Sequence, residues 1–153
     1  MSELKTSLQN SLTDAIRAQD SIRVATLRMV LAAITNEEVA GKEARELSDQ
    51  DVITVLTREA KKRKEAATAF ADAKRQELAD RELSELAVIQ EYLPAALSSE
   101  ELSAIIATAV QQVADAGQTG PSAMGAVMKL VTPQVTGRAD GSQVAQAVKA
   151  ALS

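Results

Sequence analysis

Five cations fall within seven residues in the stretch REAKKRK, and three of them, Arg58, Lys61 and Lys62, stand at i, i+3 and i+4. Residues at those spacings share one face of a helix, so their charges could meet several phosphates at once. Lys64 adds a further cation beside them. A plainer reading is also open: charge runs on long amphipathic helices are often solvated faces, here partly paired around Glu59 and Glu65. Arg63 differs from the others. Counting helical turns from Val52, Leu56 and Ala60 places it near the buried stripe, where its stem would lie along apolar surface while its head snorkels outward.

The second distinctive stretch is Gly137-Arg138-Ala139-Asp140-Gly141, set between two apolar segments. Gly137 suits a left-handed helix stop, Asp140 with Gln143 fits an N-cap and capping box, and Gly141 eases the first turn of a following helix. Arg138 is left over by this accounting. It pairs with Asp140, binds carbonyls at the end of the preceding helix, or faces solvent next to the N-terminus of the following helix as an anion contact.

What is absent narrows the chemistry further. The chain has neither cysteine nor histidine. That removes Ser-His-Asp and Cys-His nucleophile systems, the usual zinc sites and the imidazole general base. The acidic residues lack calcium-loop spacing, and neither G-x-x-x-x-G-K-[ST] nor G-x-G-x-x-G occurs. No catalytic residue, cofactor site or metal site is expected. The single Tyr, Tyr92, reads as an anchor for the segment after its helix, and one Phe with one Tyr gives no platform for stacking bases.

The formal net charge of -4 over 153 residues argues against a general polyanion binder. Its distribution is uneven. Between Arg58 and Arg75 cations outnumber acids by seven to three, residues 83–116 carry five acids and no base, and the segment after residue 117 is again slightly basic. No apolar run approaches the roughly 18 residues of a membrane span, and Met1 to Lys5 leads into an amphipathic segment without a signal-peptide pattern. A cytoplasmic protein with no membrane partner is the expectation.

The elements that must position these side chains read as helix after helix. Leu4, Leu8, Leu12 and Ile16, with Ala15 beside them, mark a first amphipathic helix ending near Gln19. Asp20 caps a second, carrying Ile22, Met29, Val30, Ala33 and Ile34 and stopping about Gly41. Ser48 opens a third, with Asp49 and Asp51 in its first turn and Val52, Leu56, Ala60, Ala67 and Phe70 on its buried side, out to about Lys74. A fourth starts about Arg81, buries Leu83, Leu86, Val88 and Ile89, and ends at Pro94. Ser98 with Glu101 fits a capping box for a fifth, closed by Gly117. A sixth starts at Gly120-Pro121, with Met124 and Met128 in the core and Gly125 at a close helix contact, and Pro133 should break it near Thr132. Ser142 to Leu152 is the seventh. Strand alternation is nearly absent. The pattern predicts an all-α chain in two lobes: a four-helix bundle-like lobe over 1–93 and a small three-helix lobe over 97–153.

The segments SIRVATLRMVLAAI (21–34), EYLP (91–94), MGAVMKLV (124–131) and GRADG (137–141) resemble, in order and spacing, those of the GatB/YqeY family. The resemblance covers nearly the whole chain. That family includes free-standing proteins of about this length and the tail domain of the B subunit of the tRNA-dependent amidotransferase, which is understood to touch tRNA. The resemblance implies a non-catalytic accessory that binds tRNA, with Arg58, Lys61, Lys62, Lys64, Lys129 and Arg138 as candidate contacts. The alternative it implies is a module that docks on an amidotransferase or an aminoacyl-tRNA synthetase without touching RNA. A carbon-nitrogen ligase label would be inherited by similarity, but the enzyme's glutaminase and activating centres lie in other parts of that complex and have no counterpart here, so no intrinsic activity is expected.

Overall fold

Helix termini set the layout of this chain, because nearly every boundary is made by a side chain or turn of recognisable chemistry. In the computed structural model, which describes residues 2–153, seven α-helices account for the fold and no strand occurs among the described residues. They are α1 (Glu3–Arg17), α2 (Ser21–Glu38), α3 (Asp49–Asp72), α4 (Gln76–Gln90), α5 (Ser99–Asp115), α6 (Met124–Val135) and α7 (Gly141–Leu152), with a 3₁₀ turn at Pro121–Ala123 leading into α6. The chain divides into two compact units, one running to Leu93 and the other Pro94–Ser153. No helix among the described residues is long and apolar enough to cross a membrane.

Three helices end in the same way. After α1, α3 and α5 the chain enters the left-handed region at Gln19 (φ 57), Lys74 (φ 61) and Gly117 (φ 94). The next amide then reaches back five residues: Asp20 to the Ala15 carbonyl, Arg75 to Phe70 and Gln118 to Val113. This is the Schellman arrangement, which satisfies carbonyls left open at a helix end. In the first two cases the same residue also starts the next helix, so α1–α2 and α3–α4 are tight hairpins. Asp20 caps α2 through its carboxylate, which accepts from the Arg23 amide, whereas Arg75 offers α4 no side-chain cap. The missing cap hid the true start of α4: it begins at Gln76, five residues before the Arg81 expected from sequence.

The first unit packs Leu8 of α1, Leu27, Val30 and Ile34 of α2, Val52, Val55 and Leu56 of α3 and Ile89 of α4 into one core. Ile16, expected in the stripe, is 48 % exposed, and Ala15 takes its place. The reason is geometric: each four-residue step advances about 40° beyond a full turn, so three steps from Leu4 carry Ile16 roughly 120° off the starting face. Ile22, Met29 and Leu83 are likewise more exposed than expected, and Thr26, Leu27, Ala79 and Glu85 hold the buried positions instead. α2 also stops three residues before Gly41, which does not take the left-handed conformation.

In the second unit Ile106, Ala109 and Val113 of α5, Val127, Val131 and Val135 of α6 and Val144, Val148 and Leu152 of α7 form a separate aliphatic core, with Met124 and Met128 packed against it. Pro133 does not break α6, which passes through it to Val135. The proline forfeits one bond to the Lys129 carbonyl, but it lies in the last turn, and burial of Val131 and Val135 on one face holds that turn in place. Ser98 caps α5 by accepting from the Glu101 amide. Gly125 is not at a close contact: a Cβ built there would meet nothing within 4 Å. Gly125→Ala should therefore raise stability by about 0.5–1 kcal/mol, read as a higher urea midpoint with an unchanged denaturant slope.

One carboxylate joins two helix starts in the first unit. Asp49, in the first turn of α3, accepts from the Ser2 hydroxyl and from the Leu4 amide at 3.1 Å, while Ser2 itself caps α1. The Ser2 hydrogen bond, with help from the Leu4 and Glu3 amides, holds the Asp49 carboxyl below its ordinary value. Ser48 does the same for Asp51, first through its amide and then its hydroxyl, with Arg45 adding to it. Both groups are depressed in the folded state. Their contribution is therefore complete above the ordinary aspartate range near 3.8 and is lost as pH falls below it through the folded values. Asp49→Asn should flatten the acid limb of the stability–pH profile below about pH 4, measured by thermal melts across pH 2–6.

Candidate functional site

Long cationic side chains are free to bind a ligand only where nothing in the protein already holds them. On α3, at ~100° per residue, Arg58, Lys61 and Lys62 lie within about 100° of one another, while Lys64 sits about 160° round from Lys62. The first three form one exposed face, and Lys64, three residues after Lys61 and about 60° from it, lies at the edge of that face. Two of the three are engaged. Arg58 Nη2 donates to Glu37 Oε2 of α2 at 2.9 Å, and Lys62 Nζ donates to Glu59 Oε1 at 3.1 Å. These four charges border a small depression of about 280 Å3 between α2 and α3, floored by Ala33 and Val55. Among the described residues Lys61, Lys64 and Lys129 have no ion-pair partner.

Beneath this face lies a feature only half visible in sequence. Arg63 does not snorkel to solvent: its side chain is 9 % exposed, and its guanidinium donates through Nη1 to the Glu59 carboxylate and, at 3.3 Å, to the Glu59 carbonyl. Nη2 approaches Met29 Sδ of α2 at 3.5 Å. Nε faces Glu85 Oε2 of α4 at 3.7 Å, too long for a hydrogen bond, and has no hydrogen-bond partner. Arg81 reaches Glu85 from outside at 3.6 Å, so Lys62, Glu59, Arg63, Glu85 and Arg81 form one alternating chain of charge from surface to surface. Glu59 and Arg63 are i and i+4 on the face of Val52 and Leu56, a pairing readable in sequence. Glu85 shares its periodicity with Leu86 and Ile89, and an acid at such an apolar position is the signal in the sequence of a buried partner.

The second unit holds the other two candidates. Gly137 takes φ 78 and ends α6 as expected. Asp140 caps α7 by accepting from the Ser142 amide at 2.8 Å, one residue before the expected Gln143. Arg138 makes contacts within its own unit that the sequence did not indicate. Its Nε donates to the Ala95 carbonyl at 3.0 Å, its own carbonyl accepts from the Leu97 amide at 2.9 Å, and its Nη2 lies 3.8 Å from Glu101. It thus ties the start of the unit to the α6–α7 turn while its side chain stays 34 % exposed. Tyr92 also has a defined partner. Its hydroxyl accepts from Arg23 Nη2 at 2.9 Å, and the guanidinium carbon lies 5.9 Å from its ring centroid. Glu91 binds the same guanidinium at 2.7 Å, so α4's end is fastened to the start of α2.

Among the described residues no group of three or more carboxylates is placed to hold a metal ion. The arrangement offers cation contacts and apolar surface rather than a nucleophile with a base. Arg63→Met, which keeps the stem and removes the charge, would leave two buried carboxylates facing each other with only the rim cations for compensation. The expected cost is about 3 kcal/mol by urea unfolding, largely recovered when Glu59→Gln and Glu85→Gln are added.

A family model described as "Yqey-like protein" matches residues 5–152. Similar proteins occur in yeasts. One from Kluyveromyces lactis, named Altered inheritance of mitochondria protein 41, mitochondrial, is 31 % identical over 118 residues, covering 75 % of this chain and 61 % of its own length. A Saccharomyces cerevisiae protein of the same name is 33 % identical over 97 residues, 62 % of this chain and 51 % of its own. An uncharacterized Schizosaccharomyces pombe protein is 32 % identical over 92 residues, 60 % of this chain and 72 % of its own. The match thus spans about half to three quarters of the relatives' length.

Proposed function

Because this chain belongs to the Yqey-like protein family, we propose that it is a non-catalytic accessory that binds tRNA through its cationic side chains, in association with tRNA-dependent amidotransferase chemistry performed elsewhere. The observation that supports this reading most directly is the exposed face of α3, where Lys61 has no ion-pair partner, Arg58 meets the partly exposed Glu37, and the exposed Lys62 meets the buried Glu59. The Arg58–Glu37 pair is of the surface kind that contributes little, and a phosphate can displace Glu37 from it at small cost. Lys129 supplies an unpaired cation in the second unit. Arg138 fits a bracing role, with its remaining exposure open to a phosphate. The cytoplasmic placement expected from sequence belongs to this proposal; the mitochondrial designation is that of the yeast relatives. A second reading, docking on an amidotransferase or synthetase without RNA contact, is favoured by the unpaired Lys129 beside apolar surface on α6.

Titration of labelled tRNA across a range of salt concentrations tests the proposal. Each phosphate contact removed should lower the slope of log affinity against log salt by roughly one, so changing Arg58, Lys61 and Lys62 together to Ala should weaken binding to all tRNAs and flatten that slope. Arg138→Ala should lower the melting temperature and leave the slope unchanged if the residue only braces its turn. A fall in affinity with an unchanged melt would instead make it a phosphate contact. Wild-type protein that binds no tRNA even at low salt overturns the RNA reading in favour of protein docking.

A further inference from the structure

The buried side of α6 is the valine series Val127, Val131 and Val135, and the flank adjoining it is unusual for a solvated helix. Leu130 remains 38 % exposed there. With Ala126, with Val113 of α5 and with Ala116 at the end of that helix it floors an open, mainly apolar depression of about 510 Å3. That is the size range of sites that take a large side chain or a small ligand. The only polar groups at its edge are the amides of Gln112 and Gln118 and the ammonium of Lys129, and no carboxylate lines it. Asp115 on α5 is engaged by Gln111 Nε2 at 2.8 Å, and Lys129 has no ion-pair partner among the described residues.

Charge and surface together select the occupant. A phosphate would satisfy Lys129 but leave the Leu130, Ala126 and Ala116 floor in water. Stacked bases need aromatic platforms, and the chain's single Phe and Tyr, Phe70 and Tyr92, both belong to the first unit. An apolar side chain with a carboxylate beside it satisfies both demands: about 25 cal/mol per Å2 from the buried floor and a charge-assisted hydrogen bond at the rim. We propose that this α5–α6 depression docks an acidic segment of a protein partner, seating a leucine-type side chain on the floor, its neighbouring carboxylate on Lys129 Nζ and its backbone against the Gln112 and Gln118 amides.

The test uses the full-length ¹⁵N-labelled protein and two capped octapeptides, one alternating leucine and glutamate pairs and one with glutamine in place of glutamate. The glutamate peptide should shift the amide resonances of Gln112, Ala116, Ala126, Lys129 and Leu130. The glutamine peptide should bind about tenfold more weakly, and Lys129→Gln should reduce affinity for the glutamate peptide by a similar factor. Leu130→Ser should weaken both peptides. Lys129 and Leu130 are exposed, so both variants should keep wild-type melting curves. Shifts absent from these residues at millimolar peptide, equal binding of the two peptides, or indifference to both substitutions overturns the proposal. So does a single-stranded RNA homopolymer that shifts these same amides while the peptides do not, which would assign the depression to nucleic acid.

Discussion

The interior placement of Arg63 between Glu59 and Glu85 is the constraint around which the first unit is organised. A guanidinium with so little exposure is tolerated only while carboxylates face it, and those carboxylates come from two helices, its own α3 and the antiparallel α4. Meeting Glu85 fixes the register of the α3–α4 hairpin, because sliding either helix by one residue would swing a charge out of the interior and leave its partner orphaned. Contact with Met29 adds α2 to the same junction. The aliphatic core of Leu27, Val30, Ile34, Val52, Leu56 and Ile89 supplies most of the driving force, yet such side chains discriminate weakly between neighbouring registers. The charge cluster discriminates strongly, and so the two act in complement.

The same cluster shapes the surface above it. Glu59 holds Arg63 on one side and Lys62 on the other, so part of the positive charge that α3 carries in sequence is spent inside the protein. Glu37 from α2 takes up Arg58 in the same way. The outward field of α3 is therefore weaker than its run of cations implies, and Lys61 and Lys64, which have no ion-pair partner among the described residues, stand at i and i+3 on one side of the helix. A surface of this kind favours modest, salt-sensitive contact with a polyanion over tight nonspecific binding. The second unit presents a different surface, one unpaired lysine at the edge of apolar ground.

Much of the architecture was legible because it rests on local chemistry. Ser48, Ser98, Asp20 and Asp140 marked helix starts and function as caps, since a short oxygen-bearing side chain before an amphipathic run has one favourable use. Gly117 and Gly137 marked helix ends for the same kind of reason. Ile16 has the spacing of a core residue and is exposed, because a four-residue repeat drifts around the helix. Gln19 and Lys74 end their helices in a left-handed conformation that sequence associates with glycine, and α4 starts without a cap. Pro133 survives inside α6 because packing outweighs a local preference one turn from the end.

By itself the sequence determined the helical class, the order of seven helices, the absence of histidine and cysteine chemistry and the family to which the chain belongs, since all of these follow from residue identity and short-range spacing. Tertiary structure alone decided which charges are available. Whether Arg58 meets Glu37, whether Arg63 lies inside against Glu85, and whether Arg138 reaches the Ala95 carbonyl depend on residues 21, 22 and 43 positions away. A Coulomb interaction falls off with distance in space, not along the chain, and only the packed helices bring those partners within reach.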